Sequence, residues 1–269
     1  YNEILERKSI NNLKSLNFFK SVSSEIVAGS TNDQKIINIL IEEKPTGEIS
    51  AGAGFGTSGG TISFGVKENN YLGKGLTVLS NLTINEESLK GIFSVSNPNY
   101  KNSDKSVYFT AEATETDRLK NFGYKTNKNG FTIGTNFEYL RNFKIGVGNS
   151  HYYEKIDTDS TASTRQQAQE GNYWDSFVNL RFDYDTRNQK FQTSDGIRSR
   201  YFLDMPLISE TASITNSFDF KSYTELYENN VSTFSLFLSS TTSIKDENIK
   251  LSERIFLPSS KLRGFERGK

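Results

Sequence analysis

The sequence predicts an all-β fold, a transmembrane antiparallel β-barrel, preceded by a short α+β segment. Three observations predict it. From Gly47 onward apolar and polar residues alternate; about eleven segments do so, each roughly 9 to 14 residues long; and their polar face carries charge in mid-strand. Ordinary globular strands run nearer about five or six residues, whereas strands that cross a bilayer at a tilt need about 9 to 11. Lys90, Glu112, Glu138, Arg181 and Asp183 on the polar face suit a wet lumen. A soluble sandwich or propeller shares the strand pattern but would bury that face.

Composition narrows the class further. The 269 residues carry 32 basic and 32 acidic side chains. Charge balance leaves no chain-wide field to recruit nucleic acid, and none is expected as a partner. There is no cysteine, so disulfides and thiolate metal sites are excluded. A mean hydropathy of −0.58 leaves no room for the apolar run of a transmembrane helix. The 20 Phe and 13 Tyr suit pleated surfaces.

The elements follow in order. "YNEILERKSINNLKSLNFF" places Ile4, Leu5, Ile10, Leu13 and Leu16 at near-helical spacing, with Asn17 as the expected left-handed cap. Tyr1 enters this helix without any leader, so further chain is expected upstream. Two short strands follow, "KSVSSEIVAG" and "QKIINILIEEK", joined by a polar turn at Ser30 to Asp33. So small a unit can hardly bury its own core. Beyond Pro45 the period is two: Ile62, Phe64 and Val66 face one way in "TISFGV", and Val107, Phe109, Ala111 and Ala113 in "SVYFTAEAT". The same reading holds for Phe131 to Tyr139, Phe143 to Val147, Val178 to Tyr184, and Phe234 to Leu238. With the N-terminal segment in the periplasm, connections after even barrel strands are periplasmic and short. Those after odd strands are extracellular, with long loops expected at 117–129 and 154–172. After eleven strands the chain stands outside and the barrel is unfinished, since bacterial single-chain barrels close with an even strand number.

Four stretches carry a resemblance. "LKSLNFFKSV" is similar to the POTRA pattern of Leu, Gly-Phe-Phe, then Val, with Asn17 where glycine is usual. "EEKPTGEISAGAGFGTSGGTISFGVKENNYLGKG" resembles the junction of the last POTRA domain and first barrel strands in the BamA family of outer-membrane β-barrel assembly factors. "YDTRNQKFQTSDG" resembles the superfamily's Asp-Thr-Arg…Phe-Pro-Thr turn, with Gln192 in place of proline, and "LPSSKLRGFERG" resembles its sixth-loop (Val/Leu)-Arg-Gly-(Phe/Tyr) motif. The resemblance implies a sixteen-stranded barrel whose first and last strands meet at a weak seam. Residues 1–46 would be the C-terminal part of the last POTRA domain. Residues 47–269 would be barrel strands one to eleven and part of extracellular loop six.

Candidate sites divide accordingly. Taken alone, Arg263 beside a glycine hinge reads as a solvated loop arginine; the resemblance implies that Leu262, Arg263, Gly264 and Phe265 form a loop motif whose arginine enters the lumen. In the first strand, Gly52, Gly54 and Gly56 share one face, and Ile49, Ala51, Ala53 and Phe55 the other. These glycines either relieve crowding at a bend or keep an edge, Ile49, Ser50, Ala51, Gly52, Ala53, Gly54 and Phe55, loosely paired so that an incoming strand can add to it. Asp183 and Asp185 could suggest an acid pair, but Arg181 and Arg187 nearby favour lumenal or turn carboxylates. His151 is the only histidine, with no nucleophile beside it. No catalysis, metal or cofactor is expected.

The function classes are a non-enzymatic insertase and a conduit, the latter a two-partner secretion pore of the same superfamily or a passive porin. A porin should lack both the helix-hairpin and the loop motif. For an insertase, the resemblance implies unfolded outer-membrane barrels as substrates, accessory lipoproteins bound through the POTRA part, and the lipid bilayer as surroundings. The barrel would sit in the outer membrane, with the N-terminal part in the periplasm.

Overall fold

The computed structural model describes residues 1–255 other than 16–17, 32–33, 57–58, 190–191, 211, 229 and 246–247. Asn17 and the motif at 262–265 therefore lie outside the described residues. The chain opens with helix α1 (Glu3–Ser15). Asn2 caps it, its side-chain oxygen accepting from the amides of Ile4 and Leu5 at 3.0 and 3.2 Å. Strands β1 (Phe19–Ala28) and β2 (Lys35–Glu43) pair antiparallel, as the sequence leads one to expect. Ser24 donates to Glu6 at 2.5 Å and ties helix to hairpin. Ile36, Ile37, Ile39, Leu40 and Ile41 of β2 stay exposed, so this unit buries little apolar surface by itself.

From Gly47 to Ser243 the described residues form one meander of eleven antiparallel strands, each hydrogen-bonded to its sequence neighbours. They are β3 (Gly47–Gly56), β4 (Gly59–Tyr71), β5 (Leu76–Asn85), β6 (Ser88–Asn97), β7 (Lys105–Arg118), β8 (Tyr124–Leu140), β9 (Phe143–Thr158), β10 (Gly171–Asp185), β11 (Gly196–Ile208), β12 (Ser213–Tyr227) and β13 (Asn230–Ser243). β3 and β13 form the two edges. No helix among the described residues is long and apolar enough to cross a membrane; the crossing elements are strands.

Register assigns every side chain to a face. Opposed pairs such as Gly52↔Ser63, Lys90↔Thr114, Glu112↔Gly130, Tyr173↔Glu154 and Arg200↔Asp219 put polar and small residues on one side. The other side carries Ile62, Phe64, Leu82, Phe93, Phe109, Ile133, Val147, Leu207, Phe234 and Leu238, all exposed. An apolar exterior around a polar interior is the inverse of a water-soluble fold, and it is what a bilayer requires. The five mid-strand charges expected in the lumen all fall on the inner face.

Aromatic rings mark the height of the apolar band. On the outer face Phe143, Phe182 and Tyr201 stack in a row across β9, β10 and β11, with centroids 6.2 and 6.3 Å apart, and Phe220 and Phe234 continue it at 6.3 Å. Near the opposite end Trp174 stands directly across from Tyr153. Trp174 and Tyr184 both lie on the outer face of β10; about 3.3 Å per residue and a tilt of about 40° set them roughly 25 Å apart along the barrel axis, the thickness of an outer-membrane apolar band.

Beyond Trp174 and Tyr153 the outer face becomes charged. Lys125 pairs with Glu115 at 2.7 Å and Lys155 with Asp157 at 2.9 Å. This corrects the two expected long loops. β7 and β8 remain paired to Arg118↔Tyr124, so the connection shrinks to residues 119–123. β9 runs to Thr158 and β10 starts at Gly171, leaving 159–170 as the loop. These strands continue into water, where lipid no longer imposes an apolar face.

Candidate functional site

The edge strand β3 is the first candidate. It pairs with β4 from Gly47↔Glu68 to Gly56↔Gly59 and has no hydrogen-bonded neighbour on its other side among the described residues. Ser50, Gly52 and Gly54 lie on the inner face; Ile49, Ala51, Ala53 and Phe55 lie on the outer face, Ile49 being 78% and Phe55 95% exposed. A Cβ added at Gly54 would meet nothing within 4 Å, and one at Gly52 only the mobile Ser63 hydroxyl at 3.0 Å. Crowding therefore does not require glycine at position 54, and at position 52 only the Ser63 hydroxyl would have to turn aside. The strand presents main-chain donors and acceptors with almost no side-chain obstruction on its inner face, a geometry suited to main-chain pairing with an added strand.

The inner wall at the β10–β11 turn is an ion-pair lattice rather than an acid pair. Arg198 grips Asp183 through Nε and Nη2 at 3.0 and 2.7 Å, and Arg187 holds Asp185 at 2.8 and 2.7 Å. Arg181, expected beside Asp183, lies instead over the Phe202 ring at 5.8 Å. Among the described residues no group of His, Cys, Asp and Glu is arranged to hold a metal. His151 lies on the outer face against Phe131, centroids 5.1 Å apart. In the turn after β10, Gln192 has φ 52°, a conformation closed to proline. The turn thus departs in backbone as well as in sequence from the pattern it resembles.

A third constellation escaped the sequence. After β13, residues 249–254 fold back across the inner face. Leu251 packs against Tyr124 and Ile156, and Lys250, Glu154 and Asp175 are fully buried. The Lys250 ammonium is ion-paired with Asp175, with Glu253 at 3.1 Å and with Glu154 at 3.6 Å, and it sits 5.1 Å from the Tyr173 ring centre. Gln169, in the β9–β10 loop, clasps the backbone on both sides of the lysine: its Nε2 donates to the Ile249 carbonyl at 3.2 Å and its Oε1 accepts from the Leu251 amide at 3.0 Å. Ser252 donates to Glu154 at 2.7 Å, and Ser213 to Glu253 at 2.5 Å. Burial opposes the lysine's charge, but Glu253, Asp175 and Glu154 outweigh it and hold the ammonium above the ordinary lysine range. Buried lysines with such partners are a signal only three-dimensional pairing reveals.

Comparison with known proteins agrees with this geometry. The Omp85 superfamily domain matches residues 70–269. The chain is 26% identical over 237 residues to the outer membrane protein assembly factor BamA of Nitratidesulfovibrio vulgaris, covering 84% of this chain and 29% of that protein. Among solved structures it resembles BamA from Haemophilus ducreyi lacking POTRA domains 1-3, with a TM-score of 0.75 and 19% identity over 88% of this chain and 49% of that one. It also resembles CdiB from Acinetobacter baumannii, with a TM-score of 0.53 and 11% identity over 96% of this chain and 51% of that one. The chain thus spans less than a third of its curated relative and about half of each structural neighbour. An outer-membrane sheet of eleven meandering strands, apolar outside and polar inside, and a family match over residues 70–269 lead to one assignment: the chain belongs to the Omp85 superfamily.

Proposed function

We propose that this chain serves as the templating half of an outer-membrane insertase, which folds barrel proteins by pairing their strands with the free edge of β3. The observation that carries this reading is the face pattern of the strand: Ile49 to Phe55 is apolar outward and nearly bare inward. Glycine weakens strand pairing, so an incoming strand can be accepted and later released. Residues 1–46 are then the C-terminal part of the last POTRA domain, in the periplasm, which receives unfolded barrel substrates and accessory lipoproteins. Residues 262–265 form the loop-six motif, with Arg263 directed into the lumen. No chemical step is needed, and the activity is non-enzymatic. The likeness to BamA from two organisms supports this reading.

The looser likeness to CdiB keeps a second reading, a translocation pore of the same superfamily. Depletion of the protein from its own cell separates the two. An insertase predicts a fall in many folded, heat-modifiable outer-membrane barrels; loss of a single exported protein with other barrels intact identifies a conduit.

A further inference from the structure

We infer that Lys250 is an ionic latch that seats residues 249–254 across the inner face and closes the outer end of the barrel interior. The inference rests on the barrel architecture alone and holds for an insertase or a conduit. The segment crosses most of the width of the sheet. It is tied to β12 through Ser213, to β13 through the Thr241 hydroxyl at 3.4 Å from the Glu253 carbonyl, and to β9 and β10 through Glu154 and Asp175. Leu251, Ser252 and Arg254 then roof a cavity of about 350 Å³ against Glu87, Lys90 and Arg118 of the β5–β8 side.

Charge makes Lys250 the keystone of this seat. Glu154, Asp175 and Glu253 place three carboxylates around one ammonium, and Glu154 Oε1 has no hydrogen-bond partner among the described residues. Lys128 stands opposite Glu154 in register, but its ammonium lies over the Tyr152 ring at 4.3 Å. Removing the Lys250 charge would leave buried carboxylates repelling one another, a state that costs far more than losing the pair as a whole. The backbone clasp by Gln169 and the burial of Leu251 are geometric supports; neither neutralises the carboxylates. The loss should therefore be specific to charge and curable by removing the carboxylates as well.

The test uses the full-length protein, made cysteine-free, with Leu251→Cys as a reporter of seating; Leu251 is 6% exposed. With Lys250 present, the thiol should resist a membrane-impermeant maleimide. Lys250→Met should raise the labelling rate by about tenfold or more, as a local opening of the segment requires. Lys250→Arg should remain close to the parent. Lys250→Met combined with Glu154→Gln and Asp175→Asn should recover most of the protection, and single-channel conductance in planar bilayers should follow the same order. A Lys250→Met protein that fails to assemble while the triple variant assembles supports the latch equally. Unchanged labelling in Lys250→Met, a triple variant as reactive as Lys250→Met, or failure of both to fold would overturn it.

Discussion

Tyr108 on β7 stands directly opposite Gly134 on β8, and its ring occupies the space that a Cβ on Gly134 would need. Gly134 itself faces Gly148 on β9, where the Tyr108 hydroxyl again comes within 3.1 Å of an added Cβ. The tyrosine therefore lies flat along the lumen wall over a pair of glycines. Gly134→Ala should force the ring off the wall and cost about 1–3 kcal/mol. The midpoint of heat-induced mobility shift on electrophoresis should fall accordingly; a midpoint equal to the parent's would show that the ring moves without cost.

A side chain added at a glycine has the opposite consequence on β3, where Gly54 has open space and Gly52 meets only Ser63 Oγ. Valine fills open space at Gly54 and at Gly52 requires the Ser63 hydroxyl to turn aside; together the two should firm the strand by about 1 kcal/mol. In an insertase this tightens the seam, so substrates still bind but leave slowly. Pulse-chase of a model barrel should show a longer-lived assembly intermediate. Faster release than the parent would contradict the idea that weak pairing matters.

Arg263 carries a separate proposal, since the loop motif lies outside the described residues. Arg263→Ala in the full-length protein should permit expression but lower stability by about 1.5–3 kcal/mol, the worth of a charge-assisted hydrogen bond, and should reduce assembly activity. Protease resistance and assembly both equal to wild type would rule out a lumenal role.

The latch at Lys250 has a defined pH response. Its folded-state pKa is raised, so its contribution is complete below the ordinary lysine value of about 10.4 and disappears as pH rises through the higher folded value. A nitroxide attached through Ile255→Cys should show unchanged mobility between about pH 7 and 9 and become mobile only in stronger alkali. Mobilisation within the lower range would mean that another group holds the segment.

Strand number and facing were legible because the bilayer enforces them. Alternation such as Ile62, Phe64, Val66 against Ser63, Gly65 survives wherever one side meets lipid, and eleven strands result. Above Trp174 and Tyr153 that pressure ends. Asp117, Arg118, Lys125 and Asn127 are polar on both faces, so paired strand reads as loop. The edge strand was visible from its own glycines and apolar partners. The Lys250 cluster was not, because Asp175 lies 75 positions away and Ser252 meets Glu154 across 98. Similarly, nothing local distinguishes Arg198 from Arg181 as the partner of Asp183; the β10–β11 register decides it.

The insertase reading requires that β3 receive substrate strands along its edge. Its most direct test places a photocrosslinking residue in turn at positions 49 to 55 of the full-length protein and stalls a nascent barrel on it. Main-chain pairing predicts substrate adducts along the strand, strongest at alternate positions and largely independent of the substrate's side chains. Adducts confined to the β1–β2 hairpin, with none from Ile49 to Phe55, would contradict the claim and leave the conduit as the better reading.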